Sequence, residues 1–323
     1  MRIDPIVRAL RSEPAPQRKA QTQLLKARSQ WQKSDRNRAI LADLTKYGSG
    51  CDLRDCASLD ALFSHVGPAR IFAASLENTL VPVLAEHPLG HVPFRHQYAG
   101  SMAIIQIAAH ASAALSLVLY EQTDTAALPT TVCFTDSDRH EMALAGSAHM
   151  QHVCWTAASE VDAKLSSRPF VFAKGDALSL AGIHETKQVL QVDGSLVVLR
   201  LSRTAPTPLP SVEFRLSDGA LVHQASGDRR DSRHELMLAL LGKMGRVDAA
   251  PVLAEMTVNG SDALRWQALR ECLALNTASG FAALSALSRK PGDSLAADAA
   301  ALKHALVTAH PALARMEAEF CPV

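Results

Sequence analysis

Apolar positions along this chain change their period twice, and each change marks a boundary. In residues 17–45, Leu24, Leu25, Trp31, Ile40, Leu41 and Leu44 recur as one interrupted helical face, so a single helix is predicted there. Shorter helices are predicted over 58–65 and 69–84, punctuated by Gly48-Ser49-Gly50 and Gly67-Pro68. The period shifts at His87-Pro88. From about residue 101 to 224, short runs of alternating apolar and polar residues predict strands over 103–109, 114–120, 131–134, 149–156, 170–173, 177–180, 187–192, 195–201, 211–216 and 221–224. Turn formers separate many of them: Lys174-Gly175-Asp176, Asp193-Gly194 and Ser217-Asp218-Gly219. Asp193-Gly194 predicts a tight hairpin, because glycine supplies the left-handed backbone such a turn needs. After Ser226 the helical period returns. The chain therefore reads as three domains: a helical segment (1–86), a β domain (87–225) and a helical domain (226–323).

Many short antiparallel strands with regular turns point to a barrel or sandwich rather than a parallel sheet. The expected fold class is α+β and multidomain, with a central antiparallel β-barrel between helical flanks. In the C-terminal part, helix–break–helix units begin near Ser232 and Ala263, with Arg233 matching Arg265, and a third begins near Ser294. These units resemble a short run of HEAT-like helical repeats, which stack and offer surface to partners. The charge-dense turn before them offers Asp231 or Ser232 as a helix cap.

Composition narrows the class. Hydrophobic residues make up 48% and charged residues 20%, the balance of a folded, water-facing chain. The most apolar run, 102–120, is broken by Gln106 and His110 and reads as two strands rather than a membrane span. The opening residues lack the apolar run of a signal peptide, so a cytoplasmic location is expected. Six cysteines contain no Cys-x-x-Cys pair and read as free, structural thiols. Residues 1–46 hold 11 Lys or Arg against 4 Asp or Glu, a net of +7; the whole chain is +1, so the remainder is −6. With few aromatic platforms there and no recognition motif, the basic segment reads as a solvated face, and nucleic acid is not expected as a partner.

Candidate chemistry gathers in the β domain. Eight of the thirteen histidines lie between His87 and His184. The segment from Thr135, TDSDRHEMALAGSAHMQHV, sets His140 and Glu141 ahead of Gly146. The segment from Phe170, FVFAKGDALSLAGIHETKQVLQV, carries Gly175-Asp176, then Gly182, then His184. Together they resemble the two signature motifs of the cupin superfamily, with departures. The paired His-x-His is absent, since Asp138-Arg139 precede His140, and Leu180-Ala181 stand where the second motif has a proline. The resemblance implies a double-stranded β-helix barrel over about 88–225. It implies His140 and His184 as metal ligands, with Glu141 beside them, for a divalent ion such as Fe, Mn, Zn or Ni. His149 or His152 could add a ligand.

The stretch GHVPFRHQY at 90–98 is a second focus. Arg95 could clamp an anionic group through its planar fork, and His91 and His96 could act as acid and base near neutral pH. The expected function is binding of a small polar or anionic molecule in a histidine-lined barrel pocket, with catalysis by His91, Arg95, His96 and Glu141 open. The alternative is a non-catalytic sensor or adaptor acting through the C-terminal helices, with a protein partner or a second copy. No phosphate-binding glycine loop, Gly-x-Ser-x-Gly elbow or His-Glu-x-x-His pair is present.

Overall fold

The computed structural model describes residues 13–123, 129–157 and 163–313. The chain divides into two compact units, Met1–Pro208 with Val212–His223, and Leu209–Ser211 with Gln224–Val323.

The first unit begins with helices α1 (Ala15–Lys33), α2 (Asp35–Gly48), α3 (Ala57–Ser64) and α4 (Val66–Glu86). The single helix expected over 17–45 is two. Ser34 is extended (φ −61°, ψ 143°), and the Trp31 carbonyl that the helix would have used accepts from Ser34 Oγ and Asn37 Nδ2 instead. Ala20, Leu24, Ala27 and Trp31 recur every three or four residues and form the buried stripe of α1.

Ten strands follow: β1 (Arg95–Ala99), β2 (Met102–His110), β3 (Ala113–Glu121), β4 (Thr131–Phe134), β5 (Ser137–Ala157), β6 (Ala163–Ala173), β7 (Ala177–Leu180), β8 (Glu185–Thr204), β9 (Ser211–Arg215) and β10 (Leu221–Ala225). Seven form one sheet in the order β1-β2-β3-β8-β5-β6, with β7 on β5; β10-β9-β4 form a second, three-stranded sheet. The expected closed β-barrel is therefore incorrect. Closure would need the end strands to pair. Instead β1 is short and exposed throughout, β6 pairs with β5 through a stretch containing Pro169, and β4, β9 and β10 pair among themselves. Among the described residues the sheet keeps both edges.

Two long strands replace several short ones. The predicted hairpin at Asp193-Gly194 is a bulge within β8. Gly146 pairs with Leu196 and Ala148 with Val192, so Asp193, Gly194 and Ser195 lie opposite Ser147 alone. Gly194 takes its positive φ (+74°) there, and Ser147 Oγ donates to Asp193 Oδ2 at 2.8 Å. Facing the bulge, Gly146 (φ +77°) has no room for a side chain: a Cβ would stand 1.7 Å from the Ser195 carbonyl oxygen.

Alternation along β5 and β8 separates three environments. Met142, Leu144, Leu199 and Leu201 join Ile107, Leu115 and the helices' Trp31, Tyr47, Leu59 and Phe72 in the largest core. Ala143, Ala148, Met150, Phe172, Leu196 and Val198 form a cluster on the opposite face of the sheet. Val153, Phe134, Ile183 and Phe214 form a third core beneath the small sheet.

The second unit contains α5 (Arg229–Lys243), α6 (Ala250–Met256), α7 (Asp262–Leu275), α8 (Thr277–Ser288) and α9 (Ala296–Ala309). The α5 cap is Asp228, whose Oδ1 accepts from Arg230 N at 2.7 Å; Asp231 instead accepts from Ser261 N. Gly280 lets α8 approach α7, since a Cβ there would lie 2.5 Å from Leu273 backbone. Arg233 is exposed, whereas Arg265 is buried and bridges Asp262 and Asp293, so the matched arginines do different things. No helix among the described residues is long and apolar enough to cross a membrane.

Candidate functional site

On β5 and β8 neighbouring residues face opposite ways, so His140 and Glu141 enter different surroundings. His140 turns toward the helical layer. Its ring sits 6.3 Å from those of Tyr47 (α2) and Phe63 (α3), and its Nδ1 lies 2.9 Å from Ser179 Oγ of β7. Burial lowers its pKa, outweighing the opposing pull of Asp138, so the imidazole is neutral near pH 7. Arg203 of β8 stacks 4.1 Å over the Tyr47 ring and donates to the Cys51 carbonyl (2.8 Å) and to Asp138 Oδ2 (3.2 Å). Asp138 Oδ1 in turn accepts from the backbone N–H of Gly182, in a turn that needs positive φ (+62°).

These groups line a cleft of about 560 Å³ together with Asp52, Arg54, Asp60 and Glu185. A neighbouring cleft of about 450 Å³ shares the Asp138–Arg203 pair. In the wall of the first, the Tyr47 hydroxyl is buried without a hydrogen-bond partner among the described residues, and burial pushes its pKa up to about 12.

Glu141 enters the opposite face. There it pairs with Arg200 Nε at 2.7 Å and with Lys187, and Arg200 also donates to the Tyr120 hydroxyl at 2.5 Å. The Lys187 ammonium lies 5.2–5.4 Å from the Phe172 and Tyr120 ring centres. Burial alone would raise the Glu141 pKa; the charges of Arg200 and Lys187 outweigh it and hold the carboxyl at about 2. Glu141 is thus a fully paired structural anion.

Farther along the same face, His152 and Cys154 project side by side from β5, and Glu185 is the cross-strand partner of Cys154 on β8. One ligand atom from each lies within 4.8 Å of the others, a group that could hold a metal ion. His152 Nε2 is 3.7 Å from Glu185 Oε2 and 3.8 Å from Cys154 Sγ. Burial and the Glu185 charge raise the Cys154 thiol pKa. The segment that places Glu185 is pinned by Trp155, whose Nε1 donates to the Ile183 carbonyl (2.8 Å) and whose N–H donates to His184 O (3.0 Å).

The residues singled out from sequence are dispersed. His91 is exposed and tied to α1, its N–H donating to Gln21 Oε1 at 3.0 Å and its ring 3.2 Å from the Gln17 amide. Arg95 opens β1, exposed, opposite Gln106. His96 Nδ1 lies 3.0 Å from the Phe94 carbonyl, while the Phe94 ring is clamped by Trp31 and Arg28. His184 is exposed against the Trp155 ring at 4.9 Å. Of the six, only His140 lines the cleft, and neither His140 nor His184 belongs to the His152–Cys154–Glu185 group. Asp138, Arg203 and Asp60 were missed because nothing in their local sequence marks them. Cys154, one of the six cysteines that read as structural thiols, has a neighbour, Trp155, that faces the third core, and the alternation turns the thiol the other way. The signal available was His-x-Cys on one strand.

No family model matches the chain, and no curated protein is similar to it. Solved structures with a likeness to it include a sugar phosphate isomerase from a cupin superfamily of Silicibacter pomeroyi (14% identity, 41% of this chain and 88% of that chain, TM-score 0.25). Others are an RmlC-like cupin from Shewanella frigidimarina (10% identity, 35% and 86%, TM-score 0.24) and KdgF from Halomonas (15% identity, 34% and 89%, TM-score 0.24).

Proposed function

We propose that the protein binds a small polar molecule in the cleft around His140. The observation that supports this is the convergence of a neutral imidazole, the Asp138–Arg203 pair and the Asp60 carboxylate on one cleft of about 560 Å³. That volume suits a small-molecule ligand. The rings of Tyr47 and Phe63 supply apolar wall, and the polar groups supply orientation. Charge selects the ligand class. Asp52, Asp60, Asp138 and Glu185 outnumber Arg54 and Arg203, so of the polar or anionic ligands expected from sequence the cleft favours polar ones with hydroxyl or ammonium groups. The imidazole can accept a hydrogen bond from a ligand hydroxyl or donate one, which fits a polyol or amino-alcohol fragment.

A ligand-observed NMR screen of sugars, polyols and amines against the full chain tests this. Hits should lose affinity in His140→Ala and Asp60→Asn and keep it in Cys154→Ser, which lies outside the cleft. Hits that prefer anionic compounds, or that bind both cleft variants as tightly as the wild type, would overturn the reading.

A further inference from the structure

We infer that His152, Cys154 and Glu185 form a binding site for one divalent transition ion of the zinc class. This site adjoins the His140 cleft, sharing Glu185 with its lining, and is distinct from the ligand pair the cupin resemblance implies. Three observations meet here. The first is chemical: imidazole, thiol and carboxylate are the three side chains that borderline divalent ions take up, and a thiolate disfavours Mg²⁺ and Ca²⁺. The second is geometric. A tetrahedral zinc ion with bonds of about 2.3 Å to sulfur and about 2.0–2.1 Å to nitrogen and oxygen needs N···S near about 3.6 Å and N···O near about 3.4 Å. The 3.8 and 3.7 Å found between His152 Nε2 and its two neighbours lie a few tenths of an ångström from that. Both imidazole nitrogens are nearly equidistant from Sγ (3.8 and 3.9 Å), so a rotation of the ring presents either one.

The third observation is mechanical. His152 and Cys154 are two residues apart on β5, and Glu185 is directly across on β8, within an antiparallel ladder that runs from Ser137 to Cys154. The ligands are therefore held on adjacent strands and need side-chain rotation alone. The side chains of His152 and Glu185 are 22% and 38% exposed, which leaves the ion a way in. Two cations stand nearby. Arg168 faces His152 from β6, and Lys187 faces it from β8 with its amine engaged by Glu141. Ion binding displaces the thiol proton to solvent. Cys154 thiolate and Glu185 then neutralise the dication, and the exposed Arg168 stays a solvated cation beside the site. Three protein ligands leave the fourth position for water or another donor. Glu185 also lines the His140 cleft, so a bound ion would sit at the cleft's margin.

The test uses the full chain with Zn²⁺ and Co²⁺ as probes. Titration of metal-free protein should give one tight Zn²⁺ equivalent by calorimetry. Co²⁺ should give an intense near-ultraviolet thiolate-to-cobalt band with tetrahedral visible bands. Cys154→Ser should abolish the charge-transfer band, and His152→Ala and Glu185→Gln should each weaken binding roughly tenfold or more. Cys51→Ser/Cys133→Ser, which removes the exposed thiols among the described residues, should keep both signals. Circular dichroism checks that each variant is folded. Should any variant fail to fold, cobalt spectra of the wild type with and without alkylation of Cys154 give the same information. A wild type with no stoichiometric band, or a band that survives Cys154→Ser and disappears in the Cys51/Cys133 variant, overturns the inference. His140→Ala should leave metal binding unchanged, so failure here is distinguishable from failure of the ligand cleft.

Discussion

Glu141 shows how far one residue's role depends on the strand beneath it. The sequence places it beside His140 as a candidate acid or base, yet the pleat turns it to the opposite face of the sheet, against Arg200 and Lys187. A buried carboxylate between two cations is a stability element whose loss strands both partners. Glu141→Gln is expected to cost about 3–5 kcal/mol at pH 7. The pH dependence has a definite sign. The folded pKa, about 2, lies below the ordinary 4.5, so the contribution is complete above about pH 4.5. It declines as pH falls and is gone below about pH 2. Its size is of the order of 3 kcal/mol, from a little over two pH units at about 1.4 kcal/mol each. Urea denaturation between pH 7 and pH 3 should show wild-type stability falling with acid, and a much flatter profile in Glu141→Gln. Parallel acid limbs in the two proteins would mean that Glu141 is not the titrating group.

At the scale of elements, the bulge where β5 faces β8 rests on two glycines. Gly146 and Gly194 both have positive φ, but only Gly146 abuts backbone. Gly194→Ala should therefore cost the backbone strain alone, about 1–3 kcal/mol. Gly146→Ala adds an overlap with the Ser195 carbonyl and should cost distinctly more, as read by chemical denaturation of the two variants side by side. Equal losses would contradict a close approach at Gly146. The same elements show what the sequence pattern can and cannot carry. β2, β3, β4 and β7 were legible because alternation and flanking turns agree. The first half of β5 was not. Ser137-Asp138-Arg139-His140-Glu141 looks like a solvated turn, because the partners that allow it to be a strand are Arg200, Arg203 and Ser179, 39 to 65 residues away. Asp193-Gly194 misled for a related reason. The dipeptide specifies a backbone conformation, and whether that becomes a hairpin or a bulge depends on the facing strand. The candidate sites have the same origin. His152 was visible as a spare ligand, but Glu185 becomes its neighbour only through the β5–β8 register.

For the whole molecule, the distribution of cores predicts how it comes apart. The helices α1–α4 and the large sheet share one apolar cluster, in which Leu115, Met142 and Leu199 from the strands meet Trp31, Leu59 and Phe72 from the helices. Neither layer can open without exposing the other, so the first unit should unfold as one cooperative block. The second unit has its own clusters, centred on Leu269, Phe281 and Leu284 and on Leu238, Leu253 and Cys272. Two blocks with separate cores predict two transitions in a calorimetric scan of the full chain. Leu115→Ala removes a side chain that is fully buried in the shared core and should cost about 2–5 kcal/mol, lowering the transition of the first unit alone. Leu269→Ala, equally buried, should lower the other. A ligand or ion bound by the first unit would raise only the transition that Leu115→Ala lowers, because stabilisation by binding acts on the block that holds the site. One transition shifted by both substitutions would show that the two units unfold together. Separate shifts would let the Zn²⁺ and small-molecule titrations be assigned to the β unit within the intact protein, without cutting the chain.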